Sequence, residues 1–400
     1  MVSAVHTVLD RLEEHMAIEY YNAPSEMNEG GENRPAHARS LRRKIGRWGA
    51  LIGALVLVGV IAFAVPMPYV ITSPGPTYDV LGSMNGDPVI EIAAPDVAKQ
   101  SEGQLRMVTV SSLGGPDAHV SLVDFLLAKL DPSSNVRPVE EVYPRDLTRE
   151  ELDELSKIQM TSSQSTAASV ALEELGYDVD VTMTVAGATS GSHAEGVVEE
   201  GDVLQAIITP DGERHAVDRP SVPFALPKTL PPETPVKLEI LRNGEKKTLA
   251  MRTYLPEEAG PDFMGSRFGI YLSADVKLPV DVTIHLENVG GPSAGLMFAL
   301  GIIDKFTGGD STGGAIIAGT GAIGYDGEVQ PIGGIVQKMY GSKRDGAQWF
   351  LAPKSNCDEV VGNIPDGLEV WPVSTLAEAR EAVQAISKGA TIDHPVCEAK

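Results

Sequence analysis

The sequence predicts a multidomain α+β protein with an N-terminal transmembrane helix, an α/β N-terminal region, an inserted β-rich domain and a C-terminal α/β domain. The chain has 400 residues, more than the roughly 100–200 residues of one domain. Alternating apolar residues typical of strands and periodic apolar residues typical of helices both recur along it. Residues 48–65 are apolar and uncharged, and this length approaches the roughly 20 residues with which a helix crosses a bilayer.

Composition excludes several classes of protein. Asp and Glu number 55 against 32 Lys and Arg, which gives a formal net charge of −23. Such a chain would repel the phosphate backbone of a nucleic acid, so we expect no nucleic-acid partner. Cys357 and Cys397 are too few for a disulfide scaffold and lack the spacing of metal ligands. A structural zinc protein and a disulfide-rich toxin are therefore excluded, and nothing in the sequence implies a metal or an organic cofactor.

The charges around the apolar segment predict its orientation. Five basic residues lie between Arg39 and Arg47, and the next basic residue after the segment is Lys99. Because basic residues stay in the cytoplasm, we predict a disordered cytoplasmic tail over 1–47, a membrane helix in contact with the lipid bilayer over 48–67, and all later residues outside the cytoplasm.

Two alternatives to an uncleaved anchor exist. The first is a buried core helix, which would also be apolar but would not require basic residues on one side of the segment only. A cleaved signal peptide would fit Ala62-Phe63-Ala64, which matches the A-x-A pattern. The polar region before the segment is far longer than a usual signal-peptide n-region, so the sequence favours the anchor. Translation starting at Met16 or Met27 stays open.

Residues 68–180 form the predicted extracytoplasmic α/β region. Arg106–Val110 has the alternation of a strand, Ser121–Leu130 has helical periodicity, and two further helices are expected at 146–160 and 164–176. We see no catalytic constellation in this region.

Residues 181–253 form a predicted β-rich domain. A hairpin is expected over 236–251, turned by Asn243-Gly244, and a loop, a turn and a buried strand are expected over 196–204. This order resembles a bacterial PDZ domain, which implies binding of an extended peptide along a sheet edge. A β-rich spacer without a ligand stays open, because the prolines between 220 and 235 fall where the groove helix is expected.

The chemistry is expected in residues 265–388. Asp281–His285 alternates as a strand, and Gly290–Gly295 (GGPSAG) leads into an apolar run of helix length. Ser293 therefore lies at a helix N-terminus, where free N–H groups and the helix dipole favour developing negative charge. Alone this signal is weak, since a serine in this position is as often a helix cap.

Lys338 is the candidate base, near the start of the helix predicted after Gly333-Gly334. A lysine can accept the serine proton only when neutral, and both burial and the positive end of a helix dipole lower its pKa. The helical wheel alone does not select it, because Lys343 falls nearer the apolar stripe.

The order of these motifs resembles the proteolytic domain of Lon-family peptidases. ENVGGPSAGL is followed by IAGTGAI, DGEVQPIGGIVQK and FLAP, and the pattern extends over about 268–386. The resemblance implies that Ser293 is the nucleophile, Lys338 is its general base and Thr320 of the GTG motif supports the lysine. With the anchor and the PDZ-like unit, the chain is similar to bacterial YlbL-like membrane-anchored PDZ–Lon proteases.

The resemblance also implies an endopeptidase that cleaves proteins or peptides as a homo-oligomeric ring of six subunits. Its place would be the bacterial cell membrane, with one span, a cytoplasmic N-terminus and an extracytoplasmic catalytic domain. Lon proteases proper carry an ATPase module with a G-x-x-x-x-G-K-[ST] loop, and this sequence has no such motif. We therefore expect ATP-independent proteolysis.

Two rival functions are weighed against this interpretation. An esterase using G-x-S-x-G would need His394 in the tail over 389–400, which is the only histidine after Ser293. A non-catalytic PDZ adaptor would not need both Ser293 and Lys338.

The cysteines also leave two interpretations. A Cys357–Cys397 bridge would close a loop of about 40 residues and stabilise the fold by about 3–4 kcal/mol in an oxidising compartment. Two free thiols are favoured, because Cys357 has no obvious partner and Cys397 lies in a tail expected to be loose.

The charge asymmetry generates a test of topology. A reporter enzyme that is active only in the cytoplasm, fused after Lys400, should be silent in cells, because the fusion point should lie outside the cytoplasm. The same reporter fused at Met1 is the positive control. An active C-terminal fusion would contradict the predicted orientation.

Overall fold

A six-stranded sheet built from both the N-terminal and the C-terminal parts of the chain organises the fold. The computed structural model describes residues 65–398, together with Gly53, Val56, Gly59 and Phe63. The gaps within that range are 96, 98–100, 117, 145–146, 257–258, 260–262, 264, 287–288 and 390–393.

The helices of the described residues are α1 (Leu122–Leu130), α2 (Val139–Val142), α3 (Arg149–Glu174), α4 (Val222–Ala225), α5 (Gly295–Phe306), α6 (Ile335–Arg344), α7 (Cys357–Val360) and α8 (Leu376–Ser387), with 3₁₀ turns at Leu226–Thr229 and Lys354–Asn356. The strands up to residue 277 are β1 (Pro66–Met67), β2 (Tyr69–Asp79), β3 (Ser83–Met84), β4 (Asp87–Pro88), β5 (Ile90–Ile92), β6 (Gln104–Leu113), β7 (Val120–Ser121), β8 (Asn135–Pro138), β9 (Asp180–Ala188), β10 (Val203–Ile208), β11 (Arg214–Ala216), β12 (Pro235–Arg242), β13 (Glu245–Arg252) and β14 (Ile270–Lys277). The remaining strands are β15 (Val282–Ile284), β16 (Ile316–Gly319), β17 (Ala322–Ile323), β18 (Val329–Gln330), β19 (Trp349–Pro353) and β20 (Glu369–Val373).

The central sheet runs in the order β20-β19-β16-β6-β2-β8. Strand β6 joins its two halves: it is parallel to β16, where Met107 pairs with Gly319, and antiparallel to β2, where Met107 pairs with Tyr78. The predicted α/β region and the predicted C-terminal domain therefore share one sheet. The boundaries drawn at 180 and 265 remain predictions.

Helices cover both faces of this sheet. Because side chains alternate along a strand, Leu105 and Met107 of β6 point into a core completed by α3, α5 and α8. Val108 points the other way, into a core completed by α6. The largest side chains of these cores, Phe298 and Phe350, are fully buried. The result is a helix–sheet–helix sandwich.

Residues 146–176 contain one continuous helix, α3, and the prediction of two helices is wrong. The 26-residue helix begins at a capping box in which Thr148 and Glu151 satisfy each other's backbone N–H groups. The expected break in its middle does not occur because that stretch packs against the core, and the Ser163 hydroxyl donates to the carbonyl of Pro292 at 3.0 Å.

A second sheet, β13-β12-β10-β9-β14, contains most of the predicted PDZ-like unit. The predicted hairpin is confirmed, since β12 pairs with β13 and both Asn243 and Gly244 have positive φ. The edge strand β14 pairs antiparallel with β9 along its whole length, although it belongs to the predicted C-terminal region. The sheet has its own core, around Met183, Leu204 and Leu238.

The proline-rich segment forms α4 and the following 3₁₀ turn. Pro223 is the second residue of α4 and Pro227 is the second residue of the 3₁₀ turn, and proline there removes no helical hydrogen bond. The prolines therefore shorten the helix expected here without abolishing it.

This helical segment also contacts the hairpin between β17 and β18. The ammonium of Lys228 lies 2.5 Å from Asp326 and 2.5 Å from Glu328. The rings of Phe224 and Tyr325 stack with centroids 5.7 Å apart. An ionic and an aromatic contact thus join the second sheet to the hairpin that follows Thr320.

The predicted membrane helix lies outside the described residues, apart from isolated positions and its final residues. Pro66 and Met67 form β1, paired with Ser121 and Val120 of β7, so the predicted helical boundary at residue 67 is wrong. Pro66 lacks the N–H that a helix interior needs. Within the described part of the chain, no helix has the length and apolar character needed to span a bilayer.

Cys357 and Cys397 are joined by a disulfide, so the expectation of two free thiols is wrong. The reason is that the C-terminal tail is not loose at this point: Cys397 packs against the core beneath α6. The bridge closes a separation of 40 residues.

The bridge predicts a measurable stability. The Cys397→Ser variant should lose about 4 kcal/mol of unfolding free energy under oxidising conditions, because the unfolded chain regains the freedom that the closed loop removes. Denaturant unfolding of both proteins measures this, with reduced wild type as the matched control. Two reactive thiols in the unfolded, unreduced chain would contradict the bridge.

Candidate active site

Ser293 lies in the turn that precedes α5, and helix α3 holds this turn. The N–H of Gly291 donates to the carbonyl of Ser156 at 3.0 Å, and a Cβ at Gly290 would come within 2.0 Å of the Ser156 hydroxyl. A Cβ at position 290 would force the Ser156 side chain to move, so the close approach of α3 favours glycine there.

Lys338 reaches Ser293 from α6. The helix begins after Gly334, whose φ of 71° is in the left-handed region that favours glycine. Lys338 lies in the first helical turn, and its side chain is 3% exposed. Its Nζ lies 2.8 Å from the Oγ of Ser293, a hydrogen-bond distance suited to proton transfer.

Burial lowers the pKa of Lys338 from 10.5 to about 7. Desolvation penalises the charged ammonium, so the neutral amine is present in a large fraction near pH 7. Among the described residues, no carboxylate forms a hydrogen bond to Nζ that would raise the pKa again. The neutral amine can therefore accept a proton.

Thr320 connects the lysine with the serine backbone. Its Oγ1 lies 3.1 Å from Lys338 Nζ and donates to the carbonyl of Ser293 at 2.9 Å. The N–H of Gly321 donates to the same carbonyl at 2.8 Å. The structure thus brings together all three residues singled out from the sequence, and Thr320 fixes both the amine and the serine.

The N-terminus of α5 provides donors beside Ser293. The N–H of Leu296 is occupied, because it donates to the carbonyl of Gly321 at 3.1 Å. The N–H groups of Ser293 and Ala294 donate to no acceptor among the described residues. They lie at the positive end of the helix dipole and are available to an oxyanion.

The cleft in front of Ser293 has a volume of about 400 Å³, and its walls come largely from the region in which the sequence indicated no catalytic constellation. Tyr78, Met107 and Met160 line it together with Val289 and Lys338. Sequence reasoning missed Tyr78 and Met107, because β2 and β6 join the site only through long-range strand pairing.

A second groove continues from this cleft along α3. The two share Met160, Val289 and Gly290, and the second is also lined by Asp153, Lys157 and Leu286, among others. An extended chain therefore has room on one side of Ser293.

The structure does not bring His394 to Ser293. The imidazole stacks on Trp371 with ring centroids 4.9 Å apart and contacts Trp349 edge-on. Trp371 lies on β20, two strands away from β16, the strand that leads into Thr320 beside Ser293, and two strand spacings are roughly 10 Å. The arrangement that an esterase would need is therefore not formed.

Comparison with known proteins agrees with the geometry. Residues 270–385 match the family model of the Lon protease (S16) C-terminal proteolytic domain, so this domain is present. The match begins at the first residue of β14 and includes Ser293, Thr320 and Lys338, but neither α3 nor β6.

Curated relatives match over the same part. Lon protease 2 of Bacillus subtilis (strain 168) is 35% identical over 113 residues, which is 26% of this chain and 19% of the relative. The Lon protease of Azospirillum brasilense is 38% identical over 103 residues, 24% of this chain and 12% of the relative. The Lon protease of Haemophilus influenzae is 33% identical over 105 residues, 24% and 13% of the two chains. The chain thus spans a fifth or less of these relatives, and the matched part corresponds to the Lon-type proteolytic domain.

The buried lysine predicts a pH profile. Because only neutral Lys338 accepts the proton, kcat/KM for peptide cleavage should rise with pH through about 7 and level off above it. The Lys338→Arg variant should lose at least about 100-fold, the usual contribution of a general base, because guanidinium stays protonated. Wild-type turnover in this variant would show that lysine is not the base.

Lys338→Met is the matched control for folding. It should be inactive yet more stable than wild type at pH 7, because the wild-type folded state excludes a proton that the unfolded lysine binds. The direction follows from the lowered pKa of Lys338. The loss of wild-type stability is complete at pH values below about 7 and disappears as the pH rises towards 10.5. Thermal unfolding of both proteins across this range measures it.

Proposed function

We propose that this protein is a membrane-anchored serine endopeptidase that cleaves proteins or peptides outside the cytoplasm of a bacterial cell. The observation that carries the proposal is the 2.8 Å contact between the buried amine of Lys338 and the hydroxyl of Ser293. The Lon-type proteolytic domain around the pair supports the reaction class.

In this mechanism, neutral Lys338 takes the proton of the Ser293 hydroxyl while Oγ attacks the carbonyl carbon of the scissile peptide. The N–H groups of Ser293 and Ala294 stabilise the oxyanion of the tetrahedral intermediate. The Lys338 ammonium then gives its proton to the leaving amine, and the acyl-enzyme forms. A water molecule, deprotonated by Lys338, attacks the ester carbonyl. Lys338 then returns the proton to the Oγ of Ser293 as the C–O bond breaks, which releases the acid product and restores the neutral amine.

Thr320 is proposed as a positioning residue. It accepts a hydrogen bond from Lys338 Nζ and donates one to the Ser293 carbonyl. These two bonds hold the amine on the hydroxyl, which matters because misplacement by about 1 Å can cost on the order of 100-fold in rate.

The PDZ-like unit is proposed to bind substrate by strand addition to β14. This strand ends the second sheet, and its residues alternate between partly buried and exposed. Ile270 and Leu272 pack on the same core as Phe224 and Leu226 of the neighbouring helical segment. A peptide beside β14 would lie against this apolar wall.

Two further parts of the proposal rest on the sequence and the resemblance. Proteolysis is proposed to be independent of ATP, because the chain has no G-x-x-x-x-G-K-[ST] loop. A homo-oligomeric ring of six subunits is proposed from the similarity to Lon proteases.

A serine-reactive fluorophosphonate probe tests the nucleophile. The full chain in detergent should react with the probe and cleave an unfolded protein substrate without ATP. Ser293→Ala should lose both properties, and His394→Ala should keep both, because His394 lies beside Trp371. A folded wild type that neither reacts nor cleaves would favour a non-catalytic adaptor. Loss of activity in His394→Ala alone would favour an esterase.

A further inference from the structure

Helix α1 has an exposed leucine face on the surface of the protein. Leu126, Leu127 and Leu130 are 53%, 62% and 82% exposed. Residues three and four apart lie on the same side of a helix, so the three leucines form one apolar face. The opposite side, with Phe125 and Ala128, packs on the small core of β2 and β7. Clustered exposed leucines indicate a surface that is covered by a membrane or by another protein.

The position of this face in the chain indicates that its partner is the lipid bilayer. The uncharged segment 48–65 leads directly into β1, and Pro66 of β1 pairs with Ser121. Ser121 is also the N-cap of α1, where its hydroxyl accepts from the N–H of Asp124. The end of the apolar segment and the start of α1 are therefore one strand spacing apart.

The dimensions fit an interfacial location. With nine residues and a rise of about 1.5 Å per residue, α1 extends roughly 13 Å from this point. Each headgroup region of a bilayer is roughly 5–8 Å deep. A chain that leaves the hydrocarbon near residue 65 therefore keeps the start of α1 close to the membrane surface. A helix that lies along the surface from this point places its leucine face in the headgroup region.

The polar groups of α1 are compatible with such a place. The Asp124 carboxylate accepts from the Ser121 hydroxyl at 2.7 Å, so its charge is held at the cap end of the helix. Lys129 lies over the ring of Phe125 at 5.9 Å, so its ammonium is held on the side of the helix away from the leucine face. The net charge of −23 disfavours attraction to anionic lipids, so apolar burial would supply the attachment.

We propose that the leucine face of α1 inserts into the headgroup–acyl boundary of the bilayer to which residues 48–65 anchor the chain. The partner is the lipid surface, and the proposal rests on the proposed membrane attachment. The two attachments together fix the orientation of the protein body, as a monotopic helix beside a span does.

The experiment uses the full chain in phosphatidylcholine vesicles. Leu127→Cys is labelled with an environment-sensitive nitrobenzoxadiazole dye, and the vesicles carry doxyl-labelled lipid as a quencher. Ile364→Cys, at a site 43% exposed, is the matched control. Wild type treated in the same way measures labelling of the native cysteines. Dye at position 127 should emit at shorter wavelength and be quenched at least three-fold more strongly than dye at position 364.

The possible failures are distinguishable. Equal quenching at both positions, in protein that floats with the vesicles, would overturn the leucine-face proposal and leave the anchor intact. A blue shift at position 127 without lipid quenching would assign the face to another protein or a second copy, and would overturn the lipid assignment. Protein that does not float would overturn both the attachment and the leucine-face proposal.

Discussion

A lysine amine kept out of water beside a serine hydroxyl is the constraint on which the structure depends. Desolvation is the cause of the low pKa of Lys338, so everything that keeps water from Nζ contributes to the proposed chemistry. The residues that do this come from distant parts of the chain. The cost is a buried ionisable group that destabilises the fold wherever the ammonium is favoured in water.

The N-terminal region is therefore part of the catalytic unit. Strand β6 pairs with β16, and α3 holds the turn that carries Ser293 through Ser156 and Ser163. The family match covers the reacting residues and leaves out these supports. A fragment cut at the boundaries of the match would lose the central strand of its own sheet and one wall of its cleft.

The parts of the structure that follow from local sequence were predictable. Ser293 and Lys338 lie in short glycine-rich motifs whose order is informative, and the Asn243-Gly244 turn defines its hairpin within a few residues. The pairing of Met107 with Gly319 was not predictable, because a single sequence holds no signal for a contact between strands more than two hundred residues apart. The Cys357–Cys397 bridge likewise depends on where the tail packs, which is a property of the core and not of the tail.

Under the proposed capture of substrate at β14, the contact of the second sheet with the β17–β18 hairpin would set a length scale for the substrate. The Lys228 ion pairs and the Phe224–Tyr325 stack restrain the second sheet relative to this hairpin. Strand β14 is therefore held at a fixed distance from Ser293. A peptide whose end is bound at β14 could reach Ser293 only if it is long enough to span the distance between them. Shorter peptides would stay bound without being cut. Longer peptides would be cut at a defined minimum distance from the bound end. The separation of β14 and Ser293 would therefore set the shortest product that carries this end.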